Sequence, residues 1–420
     1  MKPMKKIILL IIGVIICISC NQKKQHTNEL LDSMQIVRDS LTNELEDIYT
    51  QGLTNGFGVA IVNEKGTLYS NGFGWADKAN HIAYTENTIQ HIASISKTLI
   101  GLALMKAHEL GKLNLDDPIE KYLLFDVSNP NHPNEKITLQ QLATHTSTIV
   151  DTKHYMENAW IITPNQDLSN VYENYPYQRL NPSTSEIPME NFLKEILTVE
   201  GKYYDKENGF LKHKPGEKFE YSNIGATLTA LIIEKSTGIS FNEFTKKYIL
   251  QPLKMDSSGW SLEEVDISKH SRLYYDLNIP LPFYTAISYP DGMLIASSNN
   301  MAKYLTELIK GYTGNGTLLN KKNYEQLFTQ YLSEENFDKR NKQNPYNDEY
   351  NTGIFMGFSA KGYIGHTGGD AGVVSFMFFD KETKTGRYLI RNTNSDDEKG
   401  PNQFYDIWKK LGEYTTKLNQ

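Results

Sequence analysis

The sequence predicts a mixed α/β fold, an α+β arrangement with one antiparallel sheet drawn from both chain ends and flanked by helices. A mostly helical sub-domain is expected as an insertion between the two sheet halves. Three observations carry this reading: a hairpin pattern near residue 60, a second near residue 380, and helical periodicity through most of the stretch between them. Strands at both ends find a common core by pairing in one sheet, and a cleft then forms where the sheet meets the insertion.

In chain order, Lys2, Lys5 and Lys6 precede an uncharged apolar run from Ile7 to Ile18. A positive start and an apolar stretch too short to span a bilayer comfortably read as a signal peptide over residues 1–20. The run closes on Cys17-Ile18-Ser19-Cys20. A small residue before cysteine resembles a bacterial lipoprotein cleavage box, with Cys20 the lipidated residue. Several acyl chains there would hold an exported protein on a membrane, since each buried methylene contributes about 0.8 kcal/mol. The expected localisation is therefore the periplasm or cell surface, with the lipid anchor as the membrane partner.

Residues 21–51 read as a polar linker with an amphipathic helix, because Leu30, Met34, Val37, Leu41, Leu45 and Ile48 recur at spacings of four and three. This helix is expected to bridge the anchor and pack on the domain. The domain itself is placed at 52–417, with sheet segments at about 57–75 and 355–395 and the helical insertion at about 98–300. Gly58 to Val62, a polar turn Asn63 to Gly66, and Thr67 to Tyr69 form the first hairpin pattern. Val373 to Phe379 and Arg387 to Thr393, joined by Asp380 to Gly386, form the second. Ser96 to Leu110 and Ile224 to Lys235 have helical periodicity, and a final helix aligns Phe404, Ile407, Trp408 and Leu411.

Composition narrows the function. The net charge of −7 argues against a nucleic-acid partner, because an acidic chain repels phosphate backbones. The only two cysteines are Cys17 and Cys20, so a disulfide framework, a thiolate zinc cluster and a cysteine nucleophile are excluded from the body. The ten histidines show no HExxH or comparable ligand spacing, so neither a metal nor another cofactor is expected.

The chemistry centres on Ser94-Ile95-Ser96-Lys97, the only SxxK in the chain, at the start of an apolar helix. Three positions apart, serine and lysine project from one helical face. An amine near the hydroxyl can take the proton that serine does not release near neutral pH. Tyr-x-Asn occurs three times. Tyr69-Ser70-Asn71 comes before the serine and Tyr172-Glu173-Asn174 has no helix behind it, which leaves Tyr221-Ser222-Asn223, set between a turn and a helix. A literal Lys384-Thr385-Gly386 falls in the turn of the second hairpin and reads as a decoy. His366-Thr367-Gly368-Gly369 precedes that whole hairpin and fits the place of a strand motif.

This set resembles the serine β-lactamase and penicillin-binding protein superfamily, in its class C β-lactamase-type branch. The likeness extends from about Phe57 to Asn394 and includes Leu115 to Ile119, Ile137 to Ser147, Pro252 to Met255 and Ser288 to Ser297. It implies a β-lactamase/transpeptidase-like fold and acyl transfer through a covalent intermediate on Ser94. Lys97 and Tyr221 would shuttle the proton as a coupled pair, and the residues alone leave open which of the two is neutral. Backbone N–H groups of Ser94 and Gly369 would hold the oxyanion, with Asn223, His366, Thr367 and Gly368 completing the substrate contacts. His366 would line the leaving-group side as a pH-sensitive donor.

Two departures stand out: Thr148 occupies a place where glycine is usual, and the segment from Asp151 to Phe210 is long. That segment holds Tyr155, Trp160, Tyr172, Tyr175 and Tyr177 and is expected to wall or lid the cleft. Histidine in place of the motif's lysine removes a permanent cation for a substrate carboxylate. An esterase or D-amino-acid peptidase on a small ester or peptide substrate is thus expected ahead of a β-lactamase or penicillin-binding DD-carboxypeptidase. A non-catalytic lipoprotein that binds cell-wall fragments is the alternative of another class.

Overall fold

The computed structural model describes residues 32–169, 179–341, 343, 344, 346–359, 361–394 and 399–420. The leader with Cys20, the linker up to Leu30, and Tyr172, Tyr175 and Tyr177 lie outside these residues. Among the described residues no helix is long and apolar enough to cross a membrane.

Helix α1 (32–49) follows the predicted stripe, with Leu41 and Leu45 buried and Met34, Val37 and Ile48 packed at the margin. Strands β1 (Gly56–Asn63) and β2 (Gly66–Asp77) form the first hairpin, closed by the Asn63↔Gly66 pair. The Asn63 side-chain oxygen accepts from the backbone N–H groups of Lys65 and Gly66, and Gly66 supplies the φ of +141° that the turn requires. A short β3 (Ile82–Ala83) pairs with β2. The helices that matter for the site are α2 (Ser96–Glu109), α3 (Asn223–Thr237) and α4 (Ser298–Tyr312). The chain then returns through β4 (Gly357–Phe358), β5 (Tyr363–Asp370), β6 (Val373–Asp380) and β7 (Thr385–Arg391), and ends in α5 (Lys399–Leu418).

These strands form one seven-stranded antiparallel sheet in the order β4-β5-β6-β7-β1-β2-β3. The chain ends meet where β7 pairs with β1, for example Leu389 opposite Val59. Alternation along β1 divides the core. Phe57, Val59 and Ile61 pack with α1 and α5, whereas Ala60 and Val62 face the cluster that contains α2, α3 and α4. With both faces covered, every residue of β1 is buried. Phe404, Ile407, Trp408 and Leu411 all point into the sheet, as their spacing predicts.

Two boundaries shift. The second hairpin turns more tightly than expected, since Phe379 pairs with Gly386 and the strands reach Asp380 and Thr385. Lys384-Thr385-Gly386 therefore straddles the start of β7, with Lys384 at φ +57° in the turn and Gly386 packed beneath Leu305 of α4. In its described residues the segment after Asp151 builds core instead of a lid. Its described part includes a helix Lys153–Asn158, a strand Trp160–Ile162 paired with Tyr284–Ala286, and a helix Met189–Leu197 with an apolar face. Tyr155 and Trp160 are buried because their rings complete the insertion's own interior.

Candidate active site

Ser94 sits in a single 3-10 turn, Ala93–Ile95, that leads directly into α2. Ala93 is held at φ +53°, a left-handed conformation that non-glycine residues avoid. The strand β5 locks this turn from above. A side chain on Gly368 would lie 2.3 Å from Ser375 Oγ and 2.6 Å from the Ile92 carbonyl oxygen, so only glycine lets β5 approach the nucleophile this closely. Gly369, one residue on, faces open space: a Cβ there would meet nothing within 4 Å.

Lys97 is 0% exposed on the first turn of α2. Its ammonium nitrogen lies 3.1 Å from Ser94 Oγ and donates to the backbone carbonyl of Asp291 at 2.7 Å. Burial is the largest influence on Lys97 and lowers its pKa, while Asp291, Asp151, Asp348 and Asp370 oppose it. The Lys97 nitrogen also stands 5.3 Å from the centre of the Tyr221 ring. The Tyr221 hydroxyl is buried without a hydrogen-bond partner among the described residues. Burial, and then the Asp348 charge, push its pKa well above the ordinary phenol, with the Ser94 side chain nearby acting the other way. Both members of the pair are thus driven toward their uncharged forms.

The Tyr221 ring is fixed by His145, which stacks on it at 4.6 Å. His145 Nδ1 accepts from the Ser222 backbone N–H at 3.2 Å. Asp151 then anchors the next turn by accepting from Ser222 Oγ, from the backbone N–H groups of Asn223 and Ile224, and from Asn223 Nδ2. Asn223 lines the cleft with its amide already committed to Asp151. The loop between His145 and Asp151 contains Thr148 at φ +74°, which accounts for glycine being usual at that place. Thr148 is retained there with its Oγ1 accepting from the buried Asn129.

The structure brings Ser94, Tyr221, Asn223, Thr367, Gly368 and Gly369 together around one open cleft of about 470 Å³, with Lys97 behind Ser94. His366 is placed differently from the expectation. It is 2% exposed, its ring centre lies 6.1 Å from that of Tyr221, and it is not part of the cleft lining. Its Nε2 meets Asn351 Nδ2 at 3.2 Å and its Nδ1 meets the Thr367 carbonyl at 2.5 Å. Burial lowers its pKa to about 4, so it stays neutral near pH 7 and is no donor switch there. Residues 151–169 and 179–210 likewise contribute nothing to this lining; Tyr346, Asp348, Phe376 and Tyr405 do.

Sequence reasoning missed Asp291, His145, Asp151 and Asp348 as site residues. Asp291 supplies a carbonyl to Lys97 and buries a carboxylate that accepts from Tyr155 at 2.7 Å and Thr227 at 3.0 Å. The signal for it was a carboxylate within the otherwise uncharged stretch Ser288 to Ser297. Among the described residues no group of three or more His, Cys, Asp or Glu is placed to hold a metal ion.

A serine and a buried lysine in contact, with an orphaned tyrosine hydroxyl above them, are the geometry on which the comparisons bear. The family profile described as Beta-lactamase matches residues 41–411. The chain belongs to the beta-lactamase family. It is a β-lactamase-fold serine hydrolase relative by both sequence and architecture. It is 27% identical over 279 residues to Protein flp of Staphylococcus aureus (strain MW2), a match covering 65% of this chain and 48% of that protein. A putative penicillin-binding protein, PbpX, of Bacillus subtilis (strain 168) is 26% identical over 279 residues, covering 65% of this chain and 58% of the relative. The chain thus spans about half the length of the curated relatives it matches. Among solved structures, the octameric penicillin-binding protein homologue from Pyrococcus abyssi superposes with a TM-score of 0.63 at 25% identity, covering 89% of this chain and 77% of that one. D-amino acid amidase from Ochrobactrum anthropi SV3 gives a TM-score of 0.64 at 17% identity over 91% of this chain and 100% of that one, a likeness of fold.

Proposed function

We propose that this chain hydrolyses an ester, amide or peptide carbonyl through an acyl-enzyme on Ser94, as a β-lactamase-related esterase or D-amino-acid peptidase. The observation that carries the reading is the 3.1 Å contact between Lys97 Nζ and Ser94 Oγ inside a buried, uncharged-leaning pair with Tyr221. Neutral Lys97 takes the Ser94 proton as Oγ bonds to the carbonyl carbon. The resulting oxyanion is held by the backbone N–H groups of Ser94 and Gly369, and one such donor is typically worth about 10²- to 10³-fold in turnover. Collapse breaks the bond to the leaving group, which receives a proton from Tyr221; Tyr221 is reprotonated from the Lys97 ammonium. Water then attacks the acyl carbon and gives its proton to Lys97, which returns it to Ser94 Oγ as the ester bond breaks and the acid leaves.

A dedicated β-lactamase or DD-carboxypeptidase is disfavoured because the described cleft lining offers no cation to a substrate carboxylate. A chromogenic cephalosporin, short-chain p-nitrophenyl esters and D-alanyl peptides, each run against Ser94→Ala, test the assignment. Ester or peptide turnover that vanishes in Ser94→Ala is the expected result. Robust lactam turnover without ester or peptide cleavage overturns the preference. No turnover and no covalent labelling of folded wild type would return the chain to a binding role.

We also propose export and anchoring through Cys20. Metabolic incorporation of an alkyne fatty acid that is lost in Cys20→Ala supports it; a soluble, unlabelled wild type refutes it.

A further inference from the structure

The cleft has an electrostatic asymmetry that the hydrolase reading leaves unused. Its described lining contains one carboxylate, Asp348, and three aromatic rings besides Tyr221, namely Tyr346, Phe376 and Tyr405. No cation answers Asp348 from that lining, and among the described residues its carboxylate makes no ion pair within 4.0 Å. The positive group whose charge acts on Asp348 is Lys97, which is itself buried and hydrogen-bonded to the Asp291 carbonyl.

The loop bearing Asp348 is tied down at both ends. Tyr346 Oη accepts from Trp408 Nε1 of α5 at 2.8 Å, and Asn351 reaches His366 at 3.2 Å. Replacing the motif's lysine by histidine therefore does two things at once. It withdraws a cation from the substrate side, and it braces the loop that brings an anion there. Asp348 is also the strongest charge acting on the Tyr221 hydroxyl, the proton donor to the leaving group in the proposed mechanism.

We propose that Asp348, with Tyr346, Phe376 and Tyr405, is a recognition site for an ammonium group on the leaving-group side of the substrate. Carboxylate and aromatic faces together are what a desolvated ammonium requires, the rings through their negative π faces. A leaving group that carries a carboxylate meets repulsion at the same place. The inference rests on the acyl-enzyme reading and narrows it to cationic alcohols, thiols or amines as the released half.

The test uses three thioesters with the same acetyl group: acetylthiocholine, its uncharged isostere S-(3,3-dimethylbutyl) thioacetate, and S-acetyl-3-mercaptopropionate. Thiol release reports kcat/KM for each. The full-length protein is expected to prefer the cationic over the neutral ester by about tenfold or more, the scale of one charge-assisted contact. Asp348→Asn should erase most of that ratio, and Asp348→Lys should turn it toward the carboxylate ester. A second arm needs no turnover. Choline should protect Ser94 from fluorophosphonate labelling at concentrations where 3,3-dimethylbutanol does not, and Asp348→Asn should remove the difference. Equal ratios in wild type and Asp348→Asn, with Ser94 still acylated, overturn the ammonium site and leave the hydrolase reading intact. Failure of every acylating reagent at Ser94 overturns both.

Discussion

Replacing Asp151 with alanine should unfasten the turn that presents Tyr221. Four donors converge on its carboxylate: Ser222 Oγ at 3.2 Å, Asn223 N at 2.9 Å, Asn223 Nδ2 at 2.7 Å and Ile224 N at 3.0 Å. The two backbone N–H groups belong to the start of α3, where no carbonyl of the same helix can reach them. Leaving a buried donor unpaired costs about 1–3 kcal/mol, so two give about 2–6 kcal/mol before any relief. Relief exists, because burial raises the Asp151 pKa more than the Ile224 and Asn223 N–H groups lower it. We expect a net loss of about 2–3 kcal/mol, read as a lower urea midpoint at unchanged slope. Fluorophosphonate acylation of Ser94 should slow by about ten- to a hundredfold as Tyr221 and Asn223 loosen, a misplacement effect. The pH dependence has a fixed sign. A carboxyl whose folded pKa is raised stabilises most below its unfolded value near ~3.9, and that contribution fades as pH rises through the folded value. The stability gap between wild type and Asp151→Ala should therefore narrow from pH 4 toward neutrality. An unchanged midpoint together with an unchanged acylation rate would refute this account of the cap.

Three further outcomes follow from the same geometry. Gly368→Ala should cost about 1–3 kcal/mol and most of the activity, since its Cβ would meet Ser375 Oγ at 2.3 Å; Gly369→Ala, with nothing within 4 Å, should keep its melting temperature, and equal melting shifts would count against the packing of β5. The acylation rate should rise with pH through an apparent pKa below the ordinary lysine value, because burial lowers the Lys97 pKa. Stability owed to Lys97 should also climb as pH increases from that folded value toward ~10.4, and a flat profile in both readouts would remove Lys97 as the base. His366, held near about 4 by burial, should show no NMR titration between pH 5 and 8; a midpoint near 6.5 would place it in solvent instead.

The sheet was legible in the sequence because short apolar, β-rich runs bounded by a polar turn such as Asn63 to Gly66 announce themselves locally. The reacting trio was legible because Ser94 stands in the turn that leads into the helix of Lys97, and Tyr221 stands directly before another helix. What stayed hidden is what only the assembled fold brings together. Asp291 reaches Lys97 through a backbone carbonyl, an atom every residue has, so its lone carboxylate in Ser288 to Ser297 marked the position but not the contact. Asp348 joins the cleft from a loop in the second half of the chain, where no pattern links it to Ser94. His366 misled because the motif fixes its place on β5 but not its partners, Asn351 and the Thr367 carbonyl, which bury and neutralise it. The aromatics Tyr155 and Trp160 misled for the opposite reason: a ring reads alike from sequence whether it lines a cleft or fills a core.

The most direct test is peptide-level mass spectrometry of the protein after brief reaction with a fluorophosphonate and with a slowly hydrolysed ester. The account predicts a covalent adduct on the peptide containing Ser94, absent in Ser94→Ala and slowed by about 10²-fold or more in Lys97→Met, the scale of a lost general base. An adduct on any other residue, or ester turnover that survives Ser94→Ala, would contradict it.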